Sequence, residues 1–311
     1  VNAQDRPERL AHHGNGGKRA AMSRTTVPLR TPLFRGERRL RIALVGMPNA
    51  GKSTLFKAVS STAPRSGRLA GTQRAYEECT VQIGLDEASV VELPSIGSLH
   101  HLGEDDLPAL KYLLWGDERP TISLHEPGGP PAPFAPPDLI VQVVDATRLE
   151  SHLELTLELS QLGRPMVIAL NMMDEAWDKG LHINVKALAK LLGMPVVPTV
   201  ALMGQGISDL FTTAVASVRA AACPLPQPAS KHIGDSLQPL SQALNRPEMH
   251  AAFRVPHALL LMQVAAGDPF FHDELAQHFP QMLPQLQQLR SEAAAKLPRP
   301  LDEELHADRH H

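Results

Sequence analysis

The sequence predicts an α/β protein: a mostly parallel, six-stranded sheet with helices on both faces, followed by a small all-α bundle. Three observations carry this. Short, continuous, β-branched apolar runs alternate with stretches of helical spacing, the pattern of strands buried on both faces. A glycine-rich turn joins the first such run to the first helix. Beyond a proline-rich break the strand signal stops and only helical spacing remains.

The elements follow in order. Arg41 to Val45 is apolar and ends at Gly46, a buried strand. A helix runs from Lys52 to about Ser60. Thr80 to Leu85 and Ser89 to Leu93 read as two strands joined by a tight turn near Asp86, and Leu107 to Trp115 as a helix. Asp138 to Val144 and Pro165 to Leu170 are buried strands. Between them, Leu at 149, 153, 155, 157, 159 and 162 marks an amphipathic helix. Val185 to Leu192 is a helix, Pro195 to Thr199 the last strand, and Ile207 to Ala221 the last helix of this part. From about Ile233 onward helical spacing recurs, with Pro256, Pro269 and Pro284 at helix starts.

Four segments result: an arm over 1–39, an α/β domain over 40–222, a linker over 223–232 containing Pro224, Pro226 and Pro228, and a helical domain over 233–311. Glu118 to Pro137 holds seven Pro and two Gly, which suits an exposed inserted loop and no regular element. The arm carries nine Lys/Arg against three Asp/Glu and little apolar periodicity, so it reads as a disordered basic arm, with Met22 a candidate start.

Composition excludes several classes. The formal net charge is −3, and the segment from Cys223 to His311 has seven Lys/Arg against ten Asp/Glu, which argues against a nucleic-acid partner. Cys79 and Cys223 are far apart, so neither a disulfide framework nor a cysteine zinc site is expected. No run of about 18 apolar residues is long enough to span a bilayer. Among the fifteen His, His100-His101 and the pair His306 and His310 read as solvated surface, because no carboxylate or thiol cluster accompanies them.

Gly46-Met-Pro-Asn49-Ala50-Gly51-Lys52-Ser53 fits G-x-x-x-x-G-K-[ST] between a strand and a helix. Its main-chain N–H groups, continued through Thr54, would curl around a β-phosphate at a helix N-terminus. Lys52 would neutralise the β and γ oxygens, and the Ser53 hydroxyl is a hard ligand suited to Mg²⁺. Asn171-Met172-Met-Asp174 ends a strand where open α/β sheets place their ligand crevice. A carboxylate there accepts two hydrogen bonds from guanine N1–H and its 2-amino group, whereas adenine leaves it unpaired. Asn171 can brace the loop, and the thioether of Met172 can pack on the base. The turn Val200-Ala201-Leu202 would offer the Ala201 N–H to guanine O6. Asp145 and Thr147 read as caps of the Leu149 helix.

GMPNAGKSTLF, VVDATRLESHLELTLEL, ALNMMDEA and LGMPVVPTVALMGQGISDL resemble the GTPase domain of bacterial ferrous-iron transporter B, from about Arg41 to Ser217 and more loosely through the helical tail. The resemblance implies a Ras-like P-loop fold, GTP/GDP and Mg²⁺ as ligands, and slow GTP hydrolysis controlling Fe²⁺ uptake. It also implies a membrane permease portion C-terminal to this chain and a place at the cytoplasmic face of the plasma membrane; the oligomeric state stays open. Thr80 would bind Mg²⁺ when a γ-phosphate is present. Departures matter as well. Glu92-Leu-Pro-Ser95 stands where the family has Asp-Leu-Pro-Gly, so Glu92 would serve Mg²⁺ with one more methylene of reach. Ser95 keeps the N–H but gives up freedom at positive φ. Tyr76 to Cys79 replaces a Trp-Pro-Gly stretch, and no Gln follows to orient water. These departures support an alternative: a stand-alone nucleotide-binding regulatory module with weak or no hydrolysis.

Overall fold

The computed structural model describes residues 39–60, 64–68, 75–99, 106–116, 136–224, 229–253 and 255–308. The basic arm, most of the proline-rich loop, the middle of the linker, His100, His101, His310 and the side chain of His306 lie outside the described residues.

Among the described residues, seven strands form one sheet: β1 (Leu40–Gly46), β2 (Arg65–Arg68), β3 (Ala75–Ile83), β4 (Asp86–Glu92), β5 (Leu139–Asp145), β6 (Met166–Asn171) and β7 (Val196–Pro198). Their order is β2-β3-β4-β1-β5-β6-β7. β4, β1, β5, β6 and β7 are parallel, and β3 is antiparallel to β4. The Ras-like α/β class holds, and all six strands read from the sequence are present. The seventh, β2, is a four-residue antiparallel edge strand beside β3. Its sequence, Arg-Ser-Gly-Arg, has no apolar alternation to announce it. β3 starts five residues before Thr80 and is joined to β4 through the two residues Gly84 and Leu85.

Among the described residues, six α-helices accompany the sheet: α1 (Lys52–Val59), α2 (Leu107–Trp115), α3 (Leu149–Ser160), α4 (Met173–Asp178), α5 (Val185–Leu192) and α6 (Ile207–Arg219). Strand alternation divides the core in two. Ile42, Leu44, Val141 and Val143 pack with Leu55 and Phe56 of α1 and with Leu210 and Phe211 of α6. Ala43, Val45, Ile140 and Val144 face the other way, toward Leu113 of α2 and Leu159 of α3. α4, a single short helix beginning directly after β6, was not expected from the sequence.

Six further helices follow: α7 (Lys231–Leu244), α8 (Pro247–Phe253), α9 (His257–Ala266), α10 (Pro269–His278), α11 (Leu283–Ala295) and α12 (Leu301–Asp308). Their apolar faces do not form a separate core. Ile233, Leu259, Phe271 and Leu286 belong to the same buried cluster as Leu113, Trp115 and Leu159. Trp115 carries the junction: its indole N–H donates to the Phe253 carbonyl at 2.9 Å, and its ring lies 5.9 Å from that of Phe270.

Candidate nucleotide site

The site lies at the carboxyl ends of β1, β4 and β6. Gly46 closes β1 beside Val143, and a Cβ there would meet the Val143 carbonyl oxygen at 2.7 Å. The loop then turns through Asn49 (φ 66°) and Gly51 (φ 86°) into α1. Gly51 is the N-cap of α1 and supplies no side-chain cap, which leaves the first N–H groups of that helix facing the loop. A Cβ on Gly51 would collide with the Asn171 amide nitrogen. Ala50 is buried, Lys52 is buried, and Ser53 opens to the cavity.

Asn171 is the hub between the two halves. It is 3% exposed. Its Nδ2 donates to the Ala50 carbonyl at 3.0 Å, while its Oδ1 accepts from the Ala201 N–H at 2.9 Å and from Thr199 Oγ1 at 3.3 Å. One side chain therefore ties the phosphate loop to the 200–206 loop. The Ala201 N–H, expected to face a guanine O6, is directed at Asn171 instead. A donor with a buried acceptor this close has already satisfied its hydrogen-bonding need within the protein.

Met172 adopts φ 61° and N-caps α4, and the left-handed residue turns the chain sharply so that Asp174 falls in the first turn of that helix. Asp174 is half-exposed and makes no side-chain hydrogen bond or ion pair among the described residues. The Met172 methyl lies against Gly51. Val200 pairs with Gln205 across the neighbouring turn, and Leu202 projects outward, 84% exposed.

At the phosphate end, a cavity of about 760 Å³ is lined by Pro48, Lys52, Ser53, Glu92, Pro94 and Ser95, with Lys57, Glu77 and Asp106 around it. Glu92 ends β4 next to Leu44 of β1. Its Oε1 takes the Lys52 ammonium at 3.3 Å and accepts from Ser53 Oγ at 2.5 Å. Ser95 follows in a stretch fixed by Leu93 N–H to Leu44 O at 3.2 Å and Ile96 N–H to Gly46 O at 3.1 Å. Its φ is not positive, so serine sits there without the strain expected from replacing glycine.

Thr80 does not join this group. The β3–β4 register sets Thr80 opposite Ser89 and Glu77 opposite Glu92. Three residues of strand, about 10 Å, separate Thr80 from the pocket end. Its hydroxyl accepts from Arg39 Nη1 at 3.3 Å. Glu77, not singled out from the sequence, is the β3 residue at the cavity. The signal was the hairpin register: counting back from a two-residue turn places Glu77 across from Glu92.

Asp145 and Thr147 do not cap the Leu149 helix, whose N-cap is Arg148 without a side-chain bond; Asp145 caps the short turn before it, its carboxylate accepting from the Thr147 N–H at 2.8 Å and from Arg148 Nε at 3.0 Å. Burial pushes this carboxyl up, but the Thr147 and Arg148 contacts together outweigh it and hold the pKa below the ordinary value. His152, 1% exposed, accepts from the Asp145 N–H through Nδ1, and burial lowers its pKa.

A five-stranded parallel core with an antiparallel edge, a strand–G-x-x-x-x-G-K-S–helix turn and an Asn-x-x-Asp loop tied to it define a Ras-like P-loop G domain. The family model described as ferrous iron transport protein B matches residues 40–126 and 134–214. That is more than half of the chain, and the chain belongs to that family, as its G domain. The match breaks only within the proline-rich loop. Among relatives, a Porphyromonas gingivalis "Fe(2+) transport protein A/Fe(2+) transporter FeoB fusion protein" is 30% identical over 74% of this chain and 25% of its own length. The Escherichia coli "Fe(2+) transporter FeoB" is 35% identical over 56% of this chain and 20% of its own length. The chain thus spans about a quarter or less of these relatives. A crystal structure of an S. thermophilus NFeoB mutant bound to GDP superposes with a TM-score of 0.72 at 24% identity, covering 87% of this chain and 95% of that one. No helix among the described residues is long and apolar enough to cross a membrane.

Proposed function

We propose that this chain is the guanine-nucleotide switch of a ferrous-iron transporter, binding GTP and GDP with Mg²⁺ and hydrolysing GTP slowly. The observation that carries the reading is the Asn171 bridge, which ties the phosphate loop to the turn at Ala201, with the unpaired Asp174 carboxylate three residues further along the chain. Lys52 and the N–H groups from Asn49 to Thr54 grip the phosphates; Asp174 reads the guanine edge; Met172 packs against its face; the Val200–Leu202 turn closes the base side. The Ala201 N–H reaches O6 only by sharing with Asn171 or leaving it.

The donor set suits Mg²⁺: a serine hydroxyl and a carboxylate converge beside the phosphate-binding lysine. Ser53 and Glu92 would hold the ion, which supplies neutralisation of phosphate charge when bound. Thr80 is too far along β3 to share it without rearrangement of that strand. Phosphoryl transfer depends on positioning and charge neutralisation. The chain offers both, but no glutamine after Glu92 to orient water, so turnover is slow. The Ser95 loop, next to the phosphate end, would sense the γ-phosphate. In this reading residues 40–222 are the G domain, 223–232 a linker and 233–311 a helical domain that receives the signal. A membrane permease portion belongs to the longer protein, and this chain works at the inner face of the plasma membrane. The alternative of a nucleotide-binding module with little or no hydrolysis is favoured by one observation, the direct hold of Glu92 on Lys52.

Asp174→Asn tests the base assignment. GTP affinity should fall at least about tenfold while XTP gains. An unchanged GTP-over-XTP preference in a competition titration would sink the guanine reading.

A further inference from the structure

Glu92 reaches farther than a magnesium-serving carboxylate needs to. A single oxygen, Oε1, holds both the Lys52 ammonium and the Ser53 hydroxyl, at 3.3 and 2.5 Å. The pair is sheltered: the Lys52 and Glu92 side chains are only 8% and 12% exposed. Water screens such a pair weakly, so it is not the negligible contact an exposed ion pair would be. Both groups it engages are the ones a nucleotide needs, the lysine for phosphate oxygens and the hydroxyl for the metal. The reach depends on chain length. A carboxylate one methylene shorter, pulled back by about 1.5 Å, leaves both partners outside hydrogen-bonding distance on the same backbone. That backbone is fixed, because Leu93 and Ile96 bond back to Leu44 and Gly46 on either side of the Ser95 turn.

The surroundings add to the effect. Glu77 stands directly across the hairpin from Glu92, and both line the cavity with Lys52, Lys57 and Asp106. Three carboxylates thus share the space with two lysines. An incoming polyphosphate gains little there until the Glu92 charge is drawn off Lys52 or met by a cation.

We infer that Glu92 is an internal latch on the phosphate grip: its carboxylate stands in for a phosphate on Lys52 and Ser53, and a divalent cation is what releases it. The inference rests on the nucleotide reading of this site and deepens it. The family's shorter aspartate would leave Lys52 free; the glutamate makes nucleotide binding depend on magnesium.

The test is calorimetric titration of GDP into the whole chain and its Glu92→Asp and Glu92→Gln variants, each in EDTA and in saturating Mg²⁺, with circular-dichroism melts confirming that the variants fold. In EDTA, both variants should bind GDP about tenfold more tightly than the unaltered chain, the scale of one lost charge-assisted contact. In Mg²⁺ the unaltered chain should regain most of that gap to Glu92→Asp, while Glu92→Gln, lacking a charged ligand, gains least. If Glu92→Asp binds in EDTA no better than the unaltered chain, the latch is wrong; a gain confined to Glu92→Gln also overturns it, since that reports only relief of charge repulsion. If the unaltered chain and both variants bind neither GDP nor GTP under either condition, the nucleotide reading itself fails and takes the latch with it.

Discussion

Asn171 shows what one side chain can do when every polar atom is used. Its amide group spans three partners on two loops that are otherwise separate in sequence: Ala50, Thr199 and Ala201. Asn171→Ala should therefore cost about 2–4 kcal/mol, because it orphans buried donors and acceptors that water cannot reach. Urea unfolding measures the loss, and nucleotide affinity should fall with it; a variant as stable as the original would show that the bridge is dispensable. Sequence spacing was enough to bring Asn171 up to the phosphate loop, because β6 and β1 are parallel strands of one sheet that end on the same side. It was not enough for two finer points. The Ala201 N–H found a nearer acceptor than a ligand. Thr80 has the right hydroxyl, but its distance from the pocket depends on hairpin register, which residue type alone does not fix.

Besides Trp115, the stretch from Ser95 to Leu99 joins the phosphate end to the helices beyond residue 230. Glu158 of α3 accepts from Ser98 Oγ at 2.9 Å and from the Leu99 N–H at 2.6 Å. The Leu99 carbonyl then accepts from Gln263 Nε2 of α9 at 2.8 Å, with Gln263 wholly buried. Movement of Ser95 by even an ångström thus has a hydrogen-bonded path into α9, three to four residues away. Gln263→Ala should destabilise the protein by about 1–3 kcal/mol, since it leaves a buried carbonyl unpaired. Amide hydrogen exchange gives the sharper check. In the unaltered protein, α9 protection should differ between GDP and a non-hydrolysable GTP analogue, and in Gln263→Ala that difference should vanish. Persistence of the difference would mean that the signal travels elsewhere. At this scale the sequence revealed strands and long helices well, because burial on both faces and helical spacing are strong signals. It hid α4 and β2. α4 depends on the left-handed turn at Met172, and β2 is a hydrophilic edge strand paired with β3.

Stability of the whole molecule should depend on pH through the buried His152 and the half-buried His257. Burial lowers the pKa of His152, and also of His257, which faces His250. The unfolded chain takes up protons near the ordinary histidine pKa of about 6.5, while the folded chain resists them. Stability is therefore flat above that pH and falls as pH drops below it, by at most about 1.4 kcal/mol per pH unit for each such group. Thermal melts from neutral to mildly acid pH check this, and His152→Asn, which keeps an acceptor for the Asp145 N–H, should flatten the slope. The shared apolar cluster bears on the same scale. Because Trp115, Leu113, Leu259 and Phe271 belong to one interior, the nucleotide-facing half has no finished surface of its own on that side. A fragment cut at the prolines would carry a raw oily wound and clump. Calorimetry on the intact chain should show one endotherm rather than two, and any tug on the last helices would be felt at Leu93 and Ile96, the floor under the Ser95 turn.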